Sequence, residues 1–219
     1  MIKDKKVFSI VVILLLSLLL FFLIQFVYKI IISGNTINNQ TDDLIDNILS
    51  ISSYEAKLEV TINSNKSTNK YALEQYYMKP NYSKQIVKEP NNLKDLEIIY
   101  KENTLEIKNT NLGLSKIYNN YTYLNNNIMW LNFFINICND NKYTLEEIDE
   151  EIILNCNIEE YNYKGKLYIN KKTSLPSKIE IIDNNNQNKI YIEYKEIKLN
   201  NIQENNIFAF NSESIKEEV

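Results

Sequence analysis

The sequence predicts an α+β domain, one antiparallel sheet with covering helices, held behind an N-terminal membrane helix. Three observations carry this. Lys166–Asn170, Lys178–Asp183 and Lys189–Lys198 read as three successive strands. They are joined by polar turns, Lys171 to Pro176 and Asn184 to Asn188, too short for the crossover that parallel strands need. Tyr54 to Ile62 alternates cleanly, with Tyr54, Ala56, Leu58, Val60 and Ile62 on one side and Glu55, Lys57, Glu59 and Thr61 on the other. That period of two marks a strand with one wet face. Val7 to Tyr28 holds no formal charge over 22 residues, and as a helix it spans about 33 Å, enough for a hydrocarbon core of roughly 30 Å.

The apolar run Val7–Tyr28 exceeds the h-region of a cleaved signal, roughly 7–15 residues, and no small-x-small site follows it. It is expected to be an uncleaved signal anchor. Lys3, Lys5 and Lys6 precede it, opposed only by Asp4, which places the N-terminus in the cytoplasm and the rest outside. The organisation expected is therefore a cytoplasmic N-terminus (1–6), the anchor (7–28), a linker (29–40), the extracytoplasmic domain (41–210) and a tail (211–219).

Within the domain, Thr41 is placed to cap a helix from Asp42 to about Ser50, with Asp42 and Asp43 in its first turn where the helix dipole favours acids. The strand Lys70–Met78 answers Tyr54–Ile62 across the polar segment Asn63–Asn69, and Lys79-Pro80-Asn81 ends it, because proline cannot donate to a ladder. Strands are expected at Tyr82–Val87, Glu97–Lys101, Thr104–Lys108, Ser115–Tyr118 and Ile152–Cys156. Ile128–Cys138 is apolar almost all round, the pattern of a buried helix. In the last strand Ile190, Ile192 and Tyr194 share one phase, and Ile197 and Leu199 carry the next. A bulge near Lys195-Glu196 accounts for that slip. About ten strands in sequence-adjacent pairs must curl or pack to bury an apolar face.

Composition limits the chemistry. The chain has no histidine, and all 24 basic residues are lysines. Serine or cysteine nucleophiles paired with histidine are excluded, as are histidine zinc sites and guanidinium clamps. From Lys29 onward 21 lysines face 27 acidic residues, a net −6. An acidic domain lacks the clustered positive charge that nucleic acid requires. Glu146-Glu147 and Asp149-Glu150-Glu151 form a charge run of the kind that marks a solvated turn, and no calcium-loop spacing surrounds it. The residues point to binding rather than catalysis, with no cofactor and no metal site.

Two features of the residues leave alternatives open. Trp130, Phe133, Phe134 and Ile137 either fill the core or line an apolar cavity for an acyl chain. Cys138 and Cys156 both fall on the outer side of the anchor, where they either form a disulfide, worth about 3 kcal/mol for a loop of this size, or remain two reduced core thiols.

The segment Tyr168 to Ile181, with its Thr173-Ser174-Leu175-Pro176 turn, resembles LolA-type lipoprotein carrier domains. So do the acidic turn Asp183-Asn184, the strand ending near Asn200, the closing Phe208-Ala209-Phe210 and the earlier Met78-Lys79-Pro80 step. The resemblance runs from about Thr41 to Phe210 in order of elements and implies a curved half-barrel sheet. The composition and tyrosine-rich strands are most similar to the clostridial spore germination lipoproteins, GerS and its relatives. That resemblance implies a non-enzymatic protein of the cell or forespore membrane that partners a cortex-modifying cell-wall amidase. The chain has no lipobox cysteine, so the N-terminal helix would replace the lipid as anchor.

Overall fold

The computed structural model describes residue 25 and residues 40–121, 128–140, 143–159, 162–185, 187–202 and 207–208. The expected anchor apart from residue 25, most of the linker and the C-terminal tail lie outside the described residues. Among the described residues no helix is long and apolar enough to cross a membrane. The chain divides into two compact units, Met1–Asp46 and Asn47–Val219.

Eleven strands make one antiparallel sheet: β1 (Ser53–Asn63), β2 (Thr68–Met78), β3 (Tyr82–Glu89), β4 (Glu97–Lys101), β5 (Thr104–Asn109), β6 (Leu114–Tyr118), β7 (Tyr143–Ile148), β8 (Glu151–Ile158), β9 (Tyr163–Asn170), β10 (Leu175–Asp183) and β11 (Lys189–Leu199). Their spatial order is β6-β5-β4-β3-β2-β1-β11-β10-β9-β8-β7. Every neighbour in that order is also a neighbour in sequence except β1 and β11. That pair joins two meanders into one sheet, as the curved single sheet of the resemblance implies. Two α-helices occur among the described residues: α1 (residues 40–49) and α2 (Leu131–Asn139).

The registers sort side chains onto two faces. Tyr54, Ala56, Leu58 and Val60 of β1 stand opposite Tyr77, Gln75, Leu73 and Tyr71 of β2. The same face continues through Ile192 of β11, Ile179 and Ile181 of β10, Leu167 and Ile169 of β9, and Leu154 and Ile152 of β8. We call this the inner face, because α2 packs on it. The buried Gln75 amide donates to the Met129 carbonyl at 3.4 Å and to Gln85 Oε1 at 3.1 Å, and its Oε1 accepts from the Tyr54 hydroxyl at 3.3 Å. This small network lies beneath the start of α2.

The bulge is where the pattern put it. Lys57 pairs with Glu196 and Leu58 with Tyr194, so Lys195 is left without an opposite residue. Asn200, with φ 55°, then folds its side chain back to accept from Ser52 N–H at 2.8 Å.

Four expectations are corrected. Thr41 lies inside α1, which already includes residue 40, rather than capping it. The apolar helix begins at Leu131, not Ile128, because Trp130 is still extended (φ −105°, ψ 137°) as it turns toward Tyr54. Leu175 and Pro176 belong to β10, not to the preceding turn. Pro176 stands opposite Ile169 beside a register shift, a place where the missing N–H costs no ladder bond. The acidic run is not only a turn: Glu146 and Glu147 lie in an eleventh strand, β7, and only Asp149 and Glu150 turn. A strand at the end of a sheet is solvated on both faces, so it tolerates charge at successive positions.

Candidate functional site

The sheet is open. Among the described strands β6 and β7 each have a neighbour on one side only, so each presents a row of backbone N–H and C=O groups suited to adding a strand. The exposed large apolar side chains gather at these two ends: Leu112, Leu114, Tyr118 and Tyr121 at one, Leu145 and Ile148 at the other.

Local chemistry builds each end. Asn109 Oδ1 accepts from Leu112 N–H at 3.1 Å, and Gly113 takes the left-handed conformation (φ 62°) that reverses the chain into β6. That turn holds Leu112 out in solvent, 71% exposed. Register puts Leu114 and Tyr118 on the inner face, opposite Asn109 and Leu105. Tyr121 approaches Tyr100 edge-on at 6.5 Å, and the Lys116 ammonium sits 5.1 Å from the Tyr118 ring. This end is aromatic and carries a lysine. The β7 end is acidic and aliphatic. Leu145 faces inward opposite Leu154, Ile148 faces outward, and Glu147 pairs with Lys171 at 2.9 Å.

The residues singled out for a cavity or a disulfide come together between α2 and strands β8 and β9. Phe134 is fully buried, Trp130 and Phe133 are buried, and Ile137 is half-buried. Phe133 and Phe134 meet edge-on at 6.0 Å, and Trp130 leans on Tyr54 at 6.5 Å. Gly165 makes room for this packing: a Cβ there would stand 2.5 Å from Phe134 Cε1 and 3.1 Å from Cys156 Sγ. Cys138 follows Phe134 by one helical turn and so shares its face of α2, while Cys156 pairs with Gly165 across the β8–β9 ladder. Both are buried free thiols. Burial pushes the Cys138 thiol up to about 12, with Cys156 adding to the effect. Burial also pushes Cys156 up to about 11, partly offset by a hydrogen bond from the Gly165 backbone. Of the turn motif, Thr173 donates its N–H to Asn170 Oδ1 at 3.0 Å, and Leu175 and Pro176 open β10.

Among the described residues no group of three or more cysteine, aspartate or glutamate side chains could hold a metal ion. The charge run at β7 is spread over both faces of a strand, so its carboxylates do not converge.

The chain matches the family described as sporulation protein YdcC-like over residues 11–208. It belongs to that family. No curated protein matches it. Among solved structures, an uncharacterized conserved protein from Thermus thermophilus is similar over 79% of this chain and 95% of its own, at 11% identity and a TM-score of 0.50. That likeness shows the fold. A LolA superfamily protein from Nitrosomonas europaea matches over 77% and 97%, at 15% identity and a TM-score of 0.42. A chain in the structure of the CwlD amidase from Clostridioides difficile in complex with the GerS lipoprotein matches over 73% and 93%, at 27% identity and a TM-score of 0.44. The expected kinship with spore-associated proteins is met by this family membership.

The open ends were within reach of sequence reasoning only in part. The pattern closes a strand at Tyr118, but nothing in the residues says which strand lies last in the sheet. The unmatched apolar residues Leu112, Leu145 and Ile148, each outside a clean alternation, were the signal available.

Proposed function

We propose that this member of the YdcC-like family is a membrane-anchored, non-enzymatic extracytoplasmic binding protein that docks a cell-wall amidase in spore germination through an open end of its sheet. The observation that carries the reading is the gathering of exposed apolar side chains at β6 and β7, the strands that end the sheet among the described residues. The family's link to sporulation supports the setting. The resemblance of Tyr168–Ile181 and the tyrosine-rich strands to GerS-related proteins supports the class of partner. The absence of histidine and arginine supports binding over catalysis. The anchor rests on Val7–Tyr28 and on the lysines that precede it.

The aromatic β6 end is the better candidate of the two, since tyrosines are enriched at interfaces and carboxylates depleted. The test is co-elution of the full chain, in mild detergent, with the organism's spore cortex amidase. The expected result is one complex by size exclusion, lost in Leu114→Lys/Tyr118→Lys and kept in Leu145→Lys/Ile148→Lys. Separate elution of the wild-type proteins would overturn the reading. An acyl-chain carrier would need space where Trp130, Phe133 and Phe134 now pack. Stoichiometric lipid uptake by the purified chain is the result that would bring that function forward.

A further inference from the structure

The outer face of the sheet is laced with ion pairs. Lys57 reaches Glu196 at 2.8 Å, Lys195 reaches Glu59 at 3.1 Å, Lys88 reaches Glu74 at 3.1 Å, Lys84 reaches Glu97 at 2.9 Å and Lys178 reaches Glu180 at 2.7 Å. Strand after strand, lysine is answered by glutamate.

At β8 and β9 the pattern stops. Asn155 stands opposite Lys166, and Asn157 opposite Lys164. Neither lysine makes an ion pair among the described residues. The other cross-strand neighbour of Lys166 is Glu180, and that carboxylate is already engaged by Lys178 and by the Tyr168 hydroxyl at 3.1 Å. Asn155 Nδ2 is shut off from solvent and has no hydrogen-bond partner. Thr144 of β7 stands opposite Asn155. Thr144, Asn155, Asn157, Lys164 and Lys166 line a pocket of about 220 Å³ on this face.

We infer that this pocket binds a small oxyanion, a phosphate or carboxylate group, between Lys164 and Lys166 and over the Asn155 amide. Lysine donates three hydrogens and accepts none, and the Asn155 amide supplies a further donor whose desolvation is otherwise uncompensated. Charge-assisted bonds to an oxyanion are the strong class of hydrogen bond, and a lysine ammonium serves phosphate as a point charge. The domain around the pocket is net acidic, so its general field repels anions. Any saturable anion binding must come from these local donors. The inference is independent of the partner reading, since the pocket lies on the outer face and the amidase test does not use it.

The test is titration of the full chain in nonionic detergent, followed by amide NMR at constant ionic strength. Inorganic phosphate is the first probe and acetate the second. Saturable shifts confined to Thr144, Asn155, Asn157, Lys164 and Lys166 are expected with at least one probe. A response to phosphate alone assigns a phosphate group, and an equal response to acetate assigns a carboxylate. Lys164→Gln/Lys166→Gln should weaken binding by at least about tenfold. Asn155→Asp is the second variant. It places a carboxylate opposite Lys166 and should abolish binding while the fold is retained. Shifts that rise linearly without saturating, or an affinity unchanged in both variants, would overturn the inference.

Discussion

The two faces of the same eleven strands are built on different physics. On the inner face, Tyr54, Leu58, Val60, Leu154, Leu167, Ile169, Ile179 and Ile192 are each at most 2% exposed. On the outer face, glutamate and lysine alternate across neighbouring strands, mostly within reach of water. At β4 and β5 the outer face departs from this pattern. Ile99 and Glu106 are fully buried there, and Lys108 nearly so. Lys108 Nζ lies 3.8 Å from Glu106 and 3.7 Å from Glu97, and neither Glu106 oxygen has a hydrogen-bond partner. An apolar face is stabilised by area removed from water, whereas a charged face is stabilised by pairing and is sensitive to which partner is lost. Wetness, not composition alone, decides how much each residue matters.

Thiol reactivity is the largest contrast available. With the thiols held near 12 and 11 by burial, the thiolate at pH 8 is scarce. Alkylation of the native chain should run at least about a hundredfold slower than for an exposed cysteine. Unfolded without reductant, the chain should then label twice. Zero labels would mean a disulfide between Cys138 and Cys156 instead. The sign for stability follows from the same shift. Thiol pKa values are raised in the fold, so this stabilisation is complete below about pH 9 and is lost as the pH rises toward 11 to 12. Urea midpoints measured from pH 8 to 11 should fall accordingly.

Substitutions come next. Phe134→Ala empties a fully buried site against Gly165 and should cost about 3–5 kcal/mol in urea unfolding. Lys108→Met leaves Glu106 buried with no cation beside it, an expected loss of about 3 kcal/mol. Adding Glu106→Leu to that variant should recover most of it, which a purely apolar account of the site would not predict. Gly165→Ala forces a methyl onto the Phe134 ring and should cost about 1–3 kcal/mol, partly relieved when Phe134→Leu is added. Smallest of all, Lys57→Gln breaks a pair whose two side chains are 57% and 64% exposed, and it should leave the thermal midpoint unchanged. A clear drop there would show that the outer face is less wet than its exposure suggests.

Much of the sheet was legible before the structure. The strand Glu97–Lys101 has the limits expected of it, and the Lys195 bulge sits where the change of phase pointed. These succeeded because a half-buried strand must alternate, and an extra residue must shift that alternation. β7 was not legible as a strand, since an edge segment solvated on both sides has no need to alternate. The limits of β10 failed for a different reason: proline suggests a turn, yet at a register shift it fits within a strand. The candidate sites were the least legible. Asn155, Asn157, Lys164 and Lys166 are ordinary in sequence and become a donor cluster only once the β8–β9 register sets them opposite one another.

The pairing of β1 with β11 also sets a schedule. Asn63 pairs with Lys189 and Tyr54 with Leu199, so β1 has to wait for strands made much later. At a synthesis rate of roughly 5–20 residues per second, that interval is on the order of 6 to 25 seconds. Through that time the first meander exists with the flank of β1 uncovered, and only the arrival of the final strand seals it. A chain cut short before Lys189 would carry that exposed flank permanently, as an invitation to pair with another molecule.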